Sequence, residues 1–220
     1  RASAESNFMS VVASRGDLGA SPGFHFAGEA VSRLSGVDIN SVRLRELYSC
    51  FPFAVRTQLQ EFGMDSQGDV SVTGGMTFGG GPLNNFVFQA TVKMAQLLRQ
   101  NPGELGLVTT VSGVVTKQAC ALWSTEPGAG GWAHEDVTEQ ARAATELREL
   151  VGDYAGEGAV AGYTVLYQGM DPWRGIAVFD LPGGRRTVAY SEDADLMARL
   201  MAQEFVGQVC QLAEDQFRQA

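Results

Sequence analysis

Long apolar runs are missing from this chain. No stretch of about 18 apolar residues occurs, the length a membrane-spanning helix requires, so no membrane span is expected. The first 14 residues lack the apolar central run of a secretory signal. Histidine is scarce: His25 and His134 stand alone, at no zinc-like spacing from a cysteine, and no metal is expected. The three cysteines, Cys50, Cys120 and Cys210, are odd in number and far apart. They read as free thiols in a reducing, cytoplasmic compartment rather than as a disulfide framework. Positive charge is thin, with 16 Lys and Arg against 25 Asp and Glu and a formal net charge of −9. Only Arg185 and Arg186 sit side by side. Without a basic stripe, nucleic acid is not an expected partner.

What is present is enough apolar material for a packed core. Hydrophobic residues make up 45% of 220 positions, which fits one to two folded domains. The chain starts on Arg1 and a polar piece before the strand-like run 8–12, as if opening into the middle of a larger domain.

Ser21-Pro22 has the chemistry of a helix start, and Ala27, Ala30, Val31 and Leu34 follow at helical spacing up to Gly36. Residues 42–47 read as a short strand, and a second helix is predicted over 53–62, stopped by Gly63. Residues 70–82 read as a strand running into a glycine-rich loop. Phe86, Ala90, Met94 and Leu97 or Leu98 then share one helical face, ended by Asn101-Pro102-Gly103. Two apolar, strand-like runs follow, over 105–115 and 117–123. This alternation predicts a layered α/β fold.

The composition changes after Trp123. The Gly- and Pro-rich stretch that follows reads as a linker. Beyond it a helix is predicted over 137–151, strands over 159–167, 175–180 and 186–189, and a last helix over 194–205. Leu181-Pro182-Gly183-Gly184 is a hairpin turn by composition. The predicted division is therefore a first domain over 1–123, a linker over 124–136 and a small β-rich domain over 137–220.

Chemistry concentrates in four places. Tyr48-Ser49-Cys50-Phe51 falls where a strand gives way to a helix, a position at the rim of an α/β sheet where ligands bind. Cys50 is either a small buried hydrophobe or a thiol favoured as thiolate by the helix N-terminus. Five glycines in eight residues, Gly74, Gly75, Gly79, Gly80 and Gly81, make either a sharp turn or a loop whose backbone approaches a ligand. The loop lacks the Gly-Lys-Ser/Thr ending of a phosphate-binding P-loop. Asn84 and Asn85 either cap the next helix or aim amides at a ligand. Ser112-Gly113 interrupts an apolar run, as a bulge or a close ligand approach would.

Together, these segments resemble the C-terminal half of thiolases, from about residue 10 to residue 123. Tyr48-Ser49-Cys50-Phe51 is similar to the His-Asp-Cys-Phe motif of sterol-carrier-protein thiolases. Gly80-Gly81-Pro82 occupies the place of their Gly-His-Pro, and Val111-Ser112-Gly113 that of Cys-x-Gly. The pattern is most similar to type 1 thiolase-like proteins, often called acetyl-CoA acetyltransferases, which carry an additional OB-like C-terminal domain. Segments 162–167, 175–186 and 204–207 are similar to that domain.

The resemblance implies an α/β fold, the C-terminal half of a thiolase fold with its mixed sheet layered by helices, followed by a small OB-like β domain. It implies acyl-coenzyme-A chemistry, with a CoA thioester as substrate or ligand and no resident cofactor. Cys50 and Tyr48 are then the catalytic candidates, and Gly79, Gly80, Gly81, Asn84, Asn85 and Ser112 the substrate-binding ones. An acyltransferase of this kind needs an N-terminal half for its nucleophilic cysteine, as partner subunit or preceding chain, and an oligomer is expected. Two departures open alternatives. Gly81 replaces the activating histidine of Gly-His-Pro, and Tyr48 replaces the histidine of the junction motif. A non-catalytic CoA-ester scaffold, or a retro-aldol lyase using Tyr48, is each consistent with those replacements.

Overall fold

The computed structural model describes Arg1–Gln219 and divides into two compact units. One comprises Arg1–Met9 and Gly19–Thr145. The other comprises Ser10–Leu18 and the chain from Glu146 onward.

The first unit is built on a mixed five-stranded sheet. Its strands are β1 (Ala2–Ser6), β2 (Leu44–Glu46), β3 (Gly106–Ser112), β4 (Lys117–Trp123) and β5 (Ala133–Asp136), in the order β2-β3-β4-β1-β5. β2 runs parallel to β3 and β5 parallel to β1, while the β3–β4 and β4–β1 pairs are antiparallel. Helices α1 (Pro22–Ser35), α2 (Pro52–Phe62), α4 (Phe86–Gln100) and α5 (Thr138–Ala144) and the single turn α3 (Met76–Gly79) complete it.

Alternation along β3 sends side chains into two cores. Leu107 and Val111 join Phe24, Ala27 and Val31 of α1, whereas Val108 joins Phe86, Ala90, Met94 and Leu98 of α4. The sheet is therefore covered on both faces, which is why β3 reads as a continuous apolar run. Burying a side chain such as Phe24 contributes about 1.5–3 kcal/mol. Both α1 and α2 have Pro in the first turn and end on a left-handed glycine, Gly36 and Gly63. Ser21 does not cap α1 with its side chain; its buried hydroxyl accepts from Gln118 Nε2 at 2.9 Å instead.

In the second unit five strands close a barrel: β6 (Gly156–Gln168), β7 (Asp171–Asp180), β8 (Arg186–Ser191), β9 (Val209–Ala213) and β10 (Gln216–Gln219). The order around it is β10-β8-β7-β6-β9, with β10 parallel to β8 and antiparallel to β9. Helix α6 (Ala194–Ala202) is capped by Asp193, whose Oδ1 accepts the Leu196 N–H at 2.7 Å. It buries Leu196 and Leu200 among Phe179, Phe205, Leu212 and Phe217. Buried Arg186 holds the 10–18 segment by donating to the carbonyls of Ala13, Arg15 and Gly16, while its Nε meets Asp180 at 2.6 Å.

Several expectations need correction. The run 8–12 is not a strand; the strand lies at Ala2–Ser6, where Ala2 and Ala4 are buried and pair with β4. Residues 124–136 are not linker throughout, because Ala133–Asp136 pairs with β1 and α5 follows it within the first unit. The chain passes to the second unit at Thr145–Glu146. The helix expected over 137–151 stops at Ala144. Residues 70–72 make only an isolated bridge, Glu46 to Ser71. The last helix ends at Ala202, with β9 and β10 beyond it.

Candidate functional site

A cleft of about 640 Å³ opens in the first unit. Three stretches line it: Tyr48 and residues 50–54 at the start of α2, Gly81–Asn84 at the end of the glycine loop, and Val111–Val115 at the β3–β4 turn, with Met76 beside them. The size suits a small-molecule site. Its rim is apolar, with Leu83 90% exposed and Phe51 and Val114 also exposed.

A buried polar network fixes the Tyr48–Cys50 turn. The Tyr48 N–H donates to Thr109 Oγ1 at 2.9 Å, and the Tyr48 carbonyl accepts from Gln58 Nε2 at 2.9 Å. Gln58 Nε2 also donates to Ala54 O at 2.8 Å, and Thr109 Oγ1 donates to Gln58 Oε1. Gln58 and Thr109 are both buried, so each bond also satisfies a group that would be costly to leave unpaired. On the other side Ser49 Oγ accepts the Met76 N–H at 2.9 Å, tying the turn to the glycine loop. Tyr48 packs edge-on against Phe86, with ring centroids 5.7 Å apart.

Cys50 is exposed at the cleft, unlike Cys120 and Cys210, so it is not a buried core residue. Nor is its thiolate favoured. Desolvation by the cleft walls raises its pKa above the usual thiol value, outweighing the backbone N–H groups of Phe51 and Cys50, which act in the opposite direction. At neutral pH it is a thiol. Desolvation likewise raises the Tyr48 phenol, with the neighbouring Cys50 adding to the effect.

Tyr48, Cys50, Gly81, Asn84 and Ser112 all line this cleft; Gly79, Gly80 and Asn85 are not among its lining residues. The α3 turn consumes the N–H groups of Gly79 and Gly80, which donate to Gly75 O at 2.7 Å and Met76 O at 3.1 Å. Asn85 sits at the N-cap of α4 without a side-chain capping bond, and its own N–H donates to Pro82 O at 2.9 Å. Of the glycines expected to face a ligand, Gly81 remains.

Ser112-Gly113 is not a bulge, since the β3–β4 register is continuous up to Ser112 and Lys117, but it does break the run expected over 105–115, because β3 ends at Ser112. It begins a tight turn in which Gly113, Val114 and Val115 all have left-handed φ (60°, 55° and 61°). Two β-branched residues there are strained, and strain of this kind gathers at functional sites. Asn84, also left-handed at φ 57°, lines the same cleft.

Neither histidine lines the cleft. His134 stacks on Trp132 and bonds Ser3 at 2.9 Å, and His25 lies beside Glu29 on α1. Among the described residues no group of three or more His, Cys, Asp and Glu could hold a metal, and no helix is long and apolar enough to cross a membrane. A second cleft, about 530 Å³, lies along α1 and α2. Several of its polar groups bond within the protein: Glu61 accepts from Ser21 N, Asn40 donates to Phe62 O and Arg33 pairs with Glu135.

No protein-family model matches the chain, and no curated protein matches it. Among solved structures it is similar to a monomeric SCP2-thiolase-like protein type 1 from Mycobacterium smegmatis. The identity is 28% and the TM-score 0.86, over 99% of this chain and 50% of that one. The fold is thiolase-like. The chain spans about half the length of that thiolase-like protein. Because that protein is monomeric, it lends no support to the oligomer expected from the sequence.

Proposed function

We propose that this chain is the C-terminal half of a thiolase-like fold carrying an OB-like barrel, and that its cleft takes an acyl-CoA thioester for acyltransferase chemistry. The observation that carries the reading is the meeting of Cys50, Gly81 and Ser112 around one apolar cleft, in a chain similar over 99% of its length to a thiolase-like protein. The barrel's closure supports the OB-like reading. Counting from β6, its strands follow the order first, second, third, fifth, fourth, and a helix stands between third and fourth.

In this reading an N-terminal half, as partner subunit or preceding chain, supplies the nucleophilic cysteine. The exposed apolar rim at Phe51, Leu83 and Val114 is the surface it covers, and an oligomer could cover it as well. The Gly81 N–H and the Asn84 amide hold the thioester oxygen as charge develops; losing one such donor typically costs about 10²–10³ in rate. Cys50, protonated at neutral pH, serves as the acid that returns a proton to the α-carbon. Calorimetric titration with acetyl-CoA and a longer acyl-CoA tests the binding step. The expected result is saturable binding that weakens in Leu83→Arg; no heat of binding, or binding unaffected by Leu83→Arg, overturns it.

A second reading, a CoA-ester-binding scaffold without turnover, is favoured by the raised pKa of Cys50 and the absence of an imidazole from the cleft lining. Saturable acyl-CoA binding with no condensation or thiolysis, after addition of an N-terminal thiolase half, distinguishes it.

A further inference from the structure

Glu46 is a carboxylate with 0% exposure at the end of β2. No cation pairs with it among the described residues; it is satisfied by one short segment instead. Its Oε1 accepts from Ser71 Oγ and Thr73 Oγ1, both at 2.9 Å, and its Oε2 accepts from Thr73 N at 2.9 Å and Ser71 Oγ at 3.0 Å. Removing a charge from water is costly unless hydrogen bonds replace hydration. A carboxylate committed to residues 71–73 therefore fixes geometry in a way an apolar side chain of similar volume would not.

The segment it grips is the root of the glycine loop. Thr73 Oγ1, held by Glu46, itself accepts the Gly75 N–H at 3.1 Å. Three residues after Glu46, Ser49 accepts the Met76 N–H. The two side chains thus hold residues 71–76 from the same strand-to-turn stretch that carries Tyr48 and Cys50. From Met76 the chain turns through α3 to Gly81, which lines the same cleft as Cys50. Among the described residues, backbone pairing anchors the segment at its start, where Leu47 N donates to Val70 O at 2.9 Å.

We propose that Glu46 is a positioning residue that sets the spacing between the Cys50 wall of the cleft and the Gly81–Asn84 wall. Its role as a determinant of substrate geometry rests on the acyl-CoA reading, but its control of the loop does not. Glu46→Gln puts an amide NH2 where two acceptor oxygens are needed, and at least one of Thr73 N–H and the hydroxyls loses its partner. Thr73→Val removes one donor to the carboxylate and the acceptor of the Gly75 N–H but leaves the carboxylate in place, so it remains informative where Glu46→Gln fails to fold.

The test is residue-resolved amide hydrogen exchange together with the pH profile of Cys50 alkylation by iodoacetamide, in the unliganded chain. The expected result is exchange at Thr73–Gly81 faster by tenfold or more in Glu46→Gln and by severalfold in Thr73→Val. α1 and α4 keep their protection, and the Cys50 alkylation profile moves toward that of a free thiol. Unchanged exchange over Thr73–Gly81 in both variants, or a rise spread evenly over α1 and α4, overturns the proposal. Neither measurement uses a CoA ester, so failure of the acyl-CoA reading is recorded separately.

Discussion

The Ser49 hydroxyl oxygen accepts the Met76 N–H at 2.9 Å, and a Cβ added to Gly75 would stand 2.8 Å from that same oxygen. Gly75 also has φ 73°, which L side chains rarely adopt. The contact requires glycine twice over, for space and for conformation. Gly75→Ala is expected to lose about 1–3 kcal/mol of stability, from strain and from the displaced Ser49. Denaturant unfolding monitored by circular dichroism checks it; an unchanged midpoint would show that the loop accommodates a side chain.

The β3–β4 turn offers the opposite test. Val114 has φ 55° and its side chain is exposed at the cleft. Asn tolerates that conformation far better than a β-branched residue. Val114→Asn is expected to raise stability by about 1 kcal/mol, visible as a higher melting temperature, while making the cleft rim more polar and weakening acyl-CoA binding. A stability gain with no change in binding would remove the turn from the site.

Burial raises the pKa of all three cysteines. The folded chain then holds these thiol protons more firmly than the unfolded chain does. Between the unfolded value, about 8.5, and the higher folded values, the unfolded state has released protons that the native state retains. Stability is fully present below that pH and falls as pH rises through the window. Unfolding free energies that decline from pH 8 to 10, with a smaller decline in Cys120→Ala, are the expected result.

Arg186 is 2% exposed and bonds both Asp180 and the backbone of the 10–18 segment. Removing its guanidinium leaves a half-buried carboxylate and several carbonyls without that partner. Asp180 keeps Arg148 at 2.7 Å, so Arg186→Ala is expected to cost about 1–3 kcal/mol, chiefly from the unpaired carbonyls. Hydrogen exchange should show the loss at β7, β8 and residues 10–18. Wild-type protection in those strands would contradict the assignment.

Local chemistry made much of this legible in the sequence. Pro22 and Gly36 bound α1, Pro52 and Gly63 bound α2, and the Tyr48–Phe51 junction falls at a cleft, because each depends on neighbours in the chain. Other features depend on distant partners. Ala133–Asp136 and Gln216–Gln219 are short polar segments that become strands only through pairing with β1 and β9. Glu46 is buried and held by Ser71 and Thr73, which lie 25 and 27 residues further on. Neither alternative for Cys50, buried hydrophobe or helix-favoured thiolate, holds, for a similar reason. Its proximity to a helix start is local, but the cleft on which it lies is completed by residues 81–84 and 111–115.

Protection of Cys50 bears most directly on the acyl-CoA reading. The rate of its alkylation by iodoacetamide, followed by mass spectrometry in the presence of increasing acyl-CoA, should fall several-fold and saturate, with no such effect from an equal concentration of ATP. A rate independent of acyl-CoA at millimolar concentration would show that a thioester does not occupy the cleft between Cys50 and Gly81.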